Sequence, residues 1–194
     1  MKRGFLYLVV LTALALLALW VFALKDGSTD KPVTDVLFLP EISARINSVD
    51  RVEIVAAGNR QVATLLKAED GWQLEEMNGY RADWPGLQAL LATLAQARVV
   101  ETKTDKPEYY QRLGVEDVAS ADAGGVLVKL GIDGQDTGII VGNRAQARQG
   151  QYVRLQNAAA SALVDRGIDV STEASDWVDS TIIDINAAEV AEVE

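Results

Sequence analysis

An unbroken apolar run at the N-terminus separates the chain into two parts of very different character. Residues 4–24 read GFLYLVVLTALALLALWVFAL, in which Thr12 is the one small polar side chain. At about 1.5 Å per residue the run spans roughly 31 Å, which matches the ~30 Å hydrocarbon core of a bilayer. Lys2 and Arg3 precede it and are expected to stay cytoplasmic. The pattern predicts an N-terminal signal-anchor transmembrane helix over residues 1–24.

A cleaved signal peptide is the alternative interpretation of this run, with Val21-Phe22-Ala23 as its cleavage site. The run is longer than the usual ~7–15 residue hydrophobic region, and Trp20 is bulky, which favours the uncleaved anchor. Residues 25–35 read KDGSTDKPVTD and predict a flexible linker. The folded domain is therefore expected over residues 36–182, across the membrane from the N-terminus.

Beyond the linker, alternating apolar and polar positions predict two groups of antiparallel strands. In the first group, Val52 and Ile54 alternate with Arg51 and Glu53, and Asp70-Gly71 marks a hairpin turn. In the second group, Asp133-Gly134 marks another hairpin, and a polar loop is expected over residues 142–150. The predicted strands are Arg51–Ala56, Gln61–Lys67, Trp72–Glu75, Arg98–Lys103, Val126–Ile132, Thr137–Val141, Gln151–Leu155 and Ala162–Asp165.

Helical spacing appears in the segments between these strands. Asp83 can cap a helix over residues 84–97, and Leu87, Leu90, Leu91 and Leu94 recur along one face of it. Shorter helices are expected from Pro40 and over Pro107–Leu113, and a short helix or turn over Asp176–Ile185. Strand runs broken by single helices predict an α+β fold, an antiparallel sheet of meander hairpins with one or two helices packed on one face.

Two segments of the chain resemble each other. Ala44–Ile54 reads ARINSVDRVEI, and Ile183–Val193 reads IDINAAEVAEV. The first segment leads into the opening strand of the meander. The second predicts that residues 183–194 begin another copy of the same unit, so that this chain is expected to be part of a longer protein.

The amino-acid composition excludes more kinds of active site than the net charge does. The chain has no Cys and no His, which excludes a Ser-His-Asp triad, a Cys-His dyad and an ordinary zinc site. The part of the chain after the apolar run contains 28 acidic and 16 basic residues, which gives it a formal charge of −12. Such a domain repels nucleic acid, so none is expected as a partner. We expect no catalytic residue, no cofactor and no bound metal.

Residues with binding chemistry fall into three groups. Tyr109, Tyr110 and Arg112 are candidates for a ligand platform, although both tyrosines also suit a helix anchored to the sheet. Arg144 and Arg148 lie in the predicted loop and are candidates for an anion site or a partner surface. Six aspartates are candidates for a carboxylate pair, but solvated turns explain them better: Asp133, Asp136, Asp165, Asp169, Asp176 and Asp179. We interpret Trp72, Trp84 and Trp177 as core anchors.

Several of these segments together resemble the bacterial family called domain of unknown function 4340. They are VDRVEI, DGWQL, the helix that follows Asp83, YYQRLGV, IIVG, QYVRL and SDWVDSTIIDI. The resemblance covers most of residues 40–190. It implies no enzyme activity and supplies no catalytic residues. It also implies that a second related unit follows in some members, and that some relatives accompany ABC-type export systems.

These observations predict a non-enzymatic, single-pass envelope protein. Its periplasmic domain is expected to act as a binding or assembly module with an envelope protein partner, a transporter being one candidate. One alternative is a carboxylate-based enzyme acting on envelope polysaccharide, and another is a domain that captures a small ligand. A carboxylate-based enzyme requires two side chains that face each other at roughly 5–10 Å across a cleft.

Overall fold

A computed structural model describes residues 36–146 and 149–181, all within one compact unit. The predicted transmembrane segment, the linker, Arg148 and the second copy of the sequence echo lie outside the described residues. Among the helices that are described, none combines the length and the apolar character needed to cross a bilayer.

The described residues form ten strands and three α-helices. The strands are β1 (Val36–Leu37), β2 (Val49–Ala56), β3 (Arg60–Ala68), β4 (Gly71–Leu74), β5 (Tyr80–Arg81), β6 (Arg98–Thr102), β7 (Val126–Ile132), β8 (Gln135–Arg144), β9 (Gln151–Leu155) and β10 (Ser161–Val164). The helices are α1 (Pro40–Ala44), α2 (Trp84–Gln96) and α3 (Tyr110–Leu113). This confirms the predicted α+β class and most predicted elements.

All ten strands belong to one antiparallel sheet in the order β1-β6-β10-β9-β8-β7-β2-β3-β4-β5. The two predicted strand groups are therefore two meanders, β2–β5 and β7–β10, that join side by side along β2 and β7. At this seam Val52 lies opposite Leu130, and Ile54 lies opposite Val128. Because β5 and β6 lie far apart in the sheet, α2 connects them by crossing one face.

That face carries the larger core, which we call the helix-side core. The leucine stripe of α2 packs there on inward-facing strand residues such as Ile54, Val128 and Ile139. Asp83 caps α2 as predicted, since its carboxylate accepts a hydrogen bond from the Gly86 N–H at 3.1 Å. Each buried leucine contributes about 1.5–3 kcal/mol relative to an exposed one. Helix α1 packs beside α2, so two helices lie on this face, as predicted.

The opposite face carries a smaller core, which we call the α3-side core. Leu127 and Ile140 belong to it, and they alternate along their strands with residues of the helix-side core. Tyr110 of α3 packs against them. Gly114 ends α3 in the left-handed conformation, with φ of 67°, as its position predicted.

The structure corrects two expectations about the second half of the chain. The segment predicted as a loop from residue 142 begins later, because β8 continues to Arg144, which pairs with Gln151 after an irregularity in register. The short helix or turn predicted over Asp176–Ile185 begins earlier, because residues Ala174–Trp177 form a 3₁₀ turn. Val178 is already extended, and it pairs with Ala82 beyond β5. Sequence reasoning had assigned neither β5 nor this long-range pairing.

Candidate ligand-binding groove

A groove of about 680 Å³ lies between α2 and the hairpin formed by β3 and β4. Its apolar wall includes Ile46 and Val49, which lie just before and at the start of β2, and Leu91 from α2. The crossing of α2 over the sheet creates this space, because the helix covers the middle strands and leaves the end of the hairpin uncovered. A concave site with an apolar wall and a few polar groups is typical of ligand binding.

Two tryptophans line the groove. Trp72 on β4 is only 8% exposed, whereas Trp84 at the start of α2 is 46% exposed. Their rings are nearly parallel, with an interplanar angle of 11° and centroids 6.5 Å apart. Trp72 is a core anchor, as expected, but Trp84 is not. The Asp83 cap starts the helix at Trp84 and holds this indole at the groove, where solvent reaches it.

Charged side chains of both signs line the rim. Lys67 donates a hydrogen bond to the Asn47 carbonyl at 3.3 Å, and Arg81 pairs with Asp179 at 3.2 Å. The backbone N–H of Thr181 lowers the pKa of Asp179, and the nearby charge of Arg81 lowers it further. With Asp70 on the same rim, the groove carries two positive and two negative side chains and is balanced in charge.

The sheet edge beside the groove is already paired. The Asp83 N–H donates to the Trp177 carbonyl at 2.9 Å, and the Asp179 N–H donates to the Arg81 carbonyl at 3.0 Å. Trp177 is buried, and its indole N–H donates to the Ser171 carbonyl at 3.1 Å, which fixes the returning segment. Residues 81–83 therefore offer no open edge for another strand.

The structure separates the predicted tyrosine platform into two environments. Tyr109 is exposed and lies beside Arg112, whose guanidinium carbon is 5.4 Å from the ring centroid, in a depression of about 410 Å³. Tyr110 is instead buried, and its hydroxyl donates to the Ala159 carbonyl at 2.5 Å. Its ring lies 4.6 Å from the guanidinium carbon of Arg154. Tyr110 is thus a core anchor and not part of an exposed surface.

Of the two arginines in the predicted anion site, Arg144 lies among the described residues, and it already has a carboxylate partner. Arg144 forms an ion pair with Asp169. Its neighbour in space, Arg166, pairs with Asp165 through two nitrogens, each 3.0 Å from a carboxylate oxygen. The hydrogen bond from Arg166 is the main cause that lowers the pKa of Asp165. An anion would have to displace these carboxylates.

Among the remaining candidate carboxylates, Asp176 lines one surface depression together with Asp169 and another together with Asp179. Asp133 pairs with Arg45, and Asp176 accepts a hydrogen bond from the Ser171 hydroxyl at 2.6 Å. Within residues 36–146 and 149–181, no three acidic side chains are grouped in a way that would hold a metal ion.

The fold and groove define a class of protein, an antiparallel α+β domain with an aromatic surface groove. The chain belongs to the family described as Domain of unknown function (DUF4340), whose sequence model matches residues 72–194. The matched range includes both groove tryptophans and Asp179. It confirms the resemblance found in the sequence motifs. Comparison with curated proteins and with solved structures gave no match.

Proposed function

We propose that this chain is a non-enzymatic, membrane-anchored envelope protein whose folded domain is a binding or assembly module. The observation that supports binding most directly is the groove that the exposed Trp84 lines. The apolar run at residues 4–24 supports the membrane anchor. On this proposal the N-terminus is cytoplasmic, the domain is periplasmic, and the short linker keeps the groove close to the inner membrane, where it serves an envelope partner such as an ABC-type transporter.

Asp179 on the rim is unsuited to the proton-donating role in a hydrolytic pair. Glycoside hydrolysis by two carboxylates needs one that stays protonated to act as the general acid. Asp179 instead has a lowered pKa, because the Thr181 N–H and Arg81 stabilise its charged form. This carboxylate suits charge pairing and hydrogen-bond acceptance. A binding role needs no proton donor in the groove.

The proposal is tested by cross-linking in intact cells. A diazirine-bearing amino acid at Gln88, an exposed rim position on α2, is expected to give a discrete light-dependent adduct. The same amino acid at Gln135, an exposed position in β8, serves as the matched control. We expect Trp84→Ala to remove the Gln88 adduct. Identical adducts at both positions, or none at Gln88, would contradict a binding role for the groove.

A further inference from the structure

The groove combines features that select a ligand of a particular chemistry. Its rim carries Lys67 and Arg81 against Asp70 and Asp179, so it is neutral within a domain of strongly negative charge. A strongly anionic ligand would be repelled by the domain without a compensating positive rim. A strongly cationic ligand would find no excess of carboxylates in the groove. An uncharged ligand with many hydrogen-bonding groups matches this rim best.

Peptide ligands fit the groove less well. An added strand needs open backbone groups, but residues 81–83 are already paired with residues 177–179. A helical peptide needs several apolar anchor points along a groove. Large apolar side chains are exposed at Val36, Leu66, Met77, Tyr80, Trp84 and Tyr109, and among these only Trp84 lines the groove. The apolar wall behind Trp84 consists mostly of buried side chains such as Val49 and Leu91, so the groove exposes one large apolar surface and not a row of them.

We propose that the Trp84 groove binds a neutral glycan. The C–H face of a pyranose ring packs on the exposed indole of Trp84, since such a face is flat and apolar. The ring hydroxyls, which both donate and accept hydrogen bonds, meet Lys67, Arg81, Asp179 and the side-chain amide of Gln88. Trp72 supports the Trp84 ring from the core. This inference rests on the proposed function and names the ligand class of the same site.

The test is titration of the full chain in detergent micelles with three defined tetrasaccharides. Cellotetraose and the tetramer of N-acetylglucosamine are neutral, and tetragalacturonate is the charged counterpart. Binding is measured by calorimetry and by the change in tryptophan fluorescence. We expect at least one neutral tetramer to bind and tetragalacturonate to bind more weakly. Failure of both neutral tetramers to bind, or tighter binding of tetragalacturonate, would overturn the proposal.

Substitutions locate the binding site. Because truncating a central aromatic contact removes much of a site's affinity, Trp84→Ala should weaken binding of the neutral tetramer by about tenfold or more. Trp84→Phe, which keeps a flat aromatic face, should bind better than Trp84→Ala. Tyr80→Ala removes an aromatic ring of similar exposure that does not line the groove, and this variant should bind like the unmodified protein. Equal affinity of Trp84→Ala and the unmodified protein would count against the groove.

Different experimental results would contradict the proposed ligand class and the proposed binding role. If a Trp84-dependent adduct forms at Gln88 and proves to be a protein, while no tetrasaccharide binds, the glycan inference is wrong and the binding role stands. If no Trp84-dependent adduct forms, the binding role itself is wrong. Trp84→Ala is expected to remain folded, because this side chain is nearly half exposed, and unchanged thermal unfolding would verify this.

Discussion

The segments that cover the two faces of the sheet are held in place by different interactions. On the helix-side core, α2 covers the strands with aliphatic side chains, and the contacts there are mostly non-directional. On the α3-side core, few apolar residues are available, and polar side chains fasten the covering segments. Arg154 is buried, and its Nε donates to the Val115 carbonyl at 2.7 Å. Glu53, also buried, accepts a hydrogen bond from Lys129 at 3.1 Å and pairs with Arg51, so on this face ionic contacts also join neighbouring strands.

This difference shows how one sheet can use its two faces for different purposes. The helix-side core tolerates a groove at its margin, because aliphatic packing elsewhere on the same face supplies the stability. The α3-side core depends on a few contacts with strict geometry. The polar side chains that make these contacts, Arg154 and Tyr110, are buried.

The largest effect is expected from a cavity in the helix-side core. Leu94 on α2 is fully buried, so Leu94→Ala should reduce the free energy of unfolding by about 3 kcal/mol through lost burial and the remaining cavity. Gln88→Ala, on the exposed side of the same helix, should change it by less than about 0.5 kcal/mol. Urea denaturation followed by circular dichroism measures both. Similar values for the two variants would mean that α2 packs loosely on the sheet.

A directional contact on the other face should give the next largest effect. Arg154→Met keeps the apolar stem of the side chain and removes the guanidinium that donates to the Val115 and Ala158 carbonyls at 2.7 and 3.0 Å. Buried carbonyls would then lack their donor, and we expect a loss of about 2 kcal/mol. Faster hydrogen exchange in residues 107–118 should accompany the loss, because the guanidinium also lies on the Tyr110 ring.

The matched control is an arginine with an exposed partner. Arg144→Met removes the ion pair with Asp169, in which both side chains are mostly exposed, and should cost less than about 1 kcal/mol. If Arg154→Met instead stabilises the protein, the cost of burying the guanidinium exceeds the value of its hydrogen bonds. The contrast drawn between the two faces would then be wrong.

The sequence predicts the helix-side core well and the α3-side core poorly, for a physical reason. The stripe from Leu87 to Leu94 is periodic, so its buried face follows from local spacing alone. The contacts of Arg154 with Val115, and of Tyr110 with Ala159, join residues far apart in the chain and have no local pattern. The sequence therefore leaves Tyr110 as a candidate both for a binding surface and for a helix anchor, and its burial confirms the anchor.

The groove could be predicted only in part. The turn between β3 and β4 and the start of α2 follow from local signals, Asp70-Gly71 and the Asp83 cap. The groove itself depends on strand order, since α2 must cross from β5 to β6, and no local pattern gives that order. The exposure of Trp84 also depends on this crossing. A tryptophan directly after a cap residue is the one signal that could have suggested it.

The smallest effect concerns an ion pair at the margin of the helix-side core and appears as a dependence on pH. Arg166 lowers the pKa of Asp165, whose Oδ1 also accepts a hydrogen bond from the Arg98 N–H at 2.9 Å. A carboxyl with a lowered pKa in the folded state stabilises the protein above its unfolded pKa of about 3.9. That contribution is lost as the pH falls through the lower, folded-state pKa. Solvent screening keeps it below about 1 kcal/mol.

Asp165→Asn isolates this contribution, because its amide oxygen can still accept from Arg98 while the charge is removed. The unmodified protein should lose more stability than Asp165→Asn between pH 6 and pH 3, with the difference concentrated below about pH 4. Asp136→Asn is the control, since Asp136 is exposed and has no ion-pair partner among the described residues. Thermal melts across this pH range measure the difference. Parallel curves for the unmodified protein and Asp165→Asn would show that aliphatic packing alone sets the stability of this margin, and would thereby sharpen the contrast with the polar face.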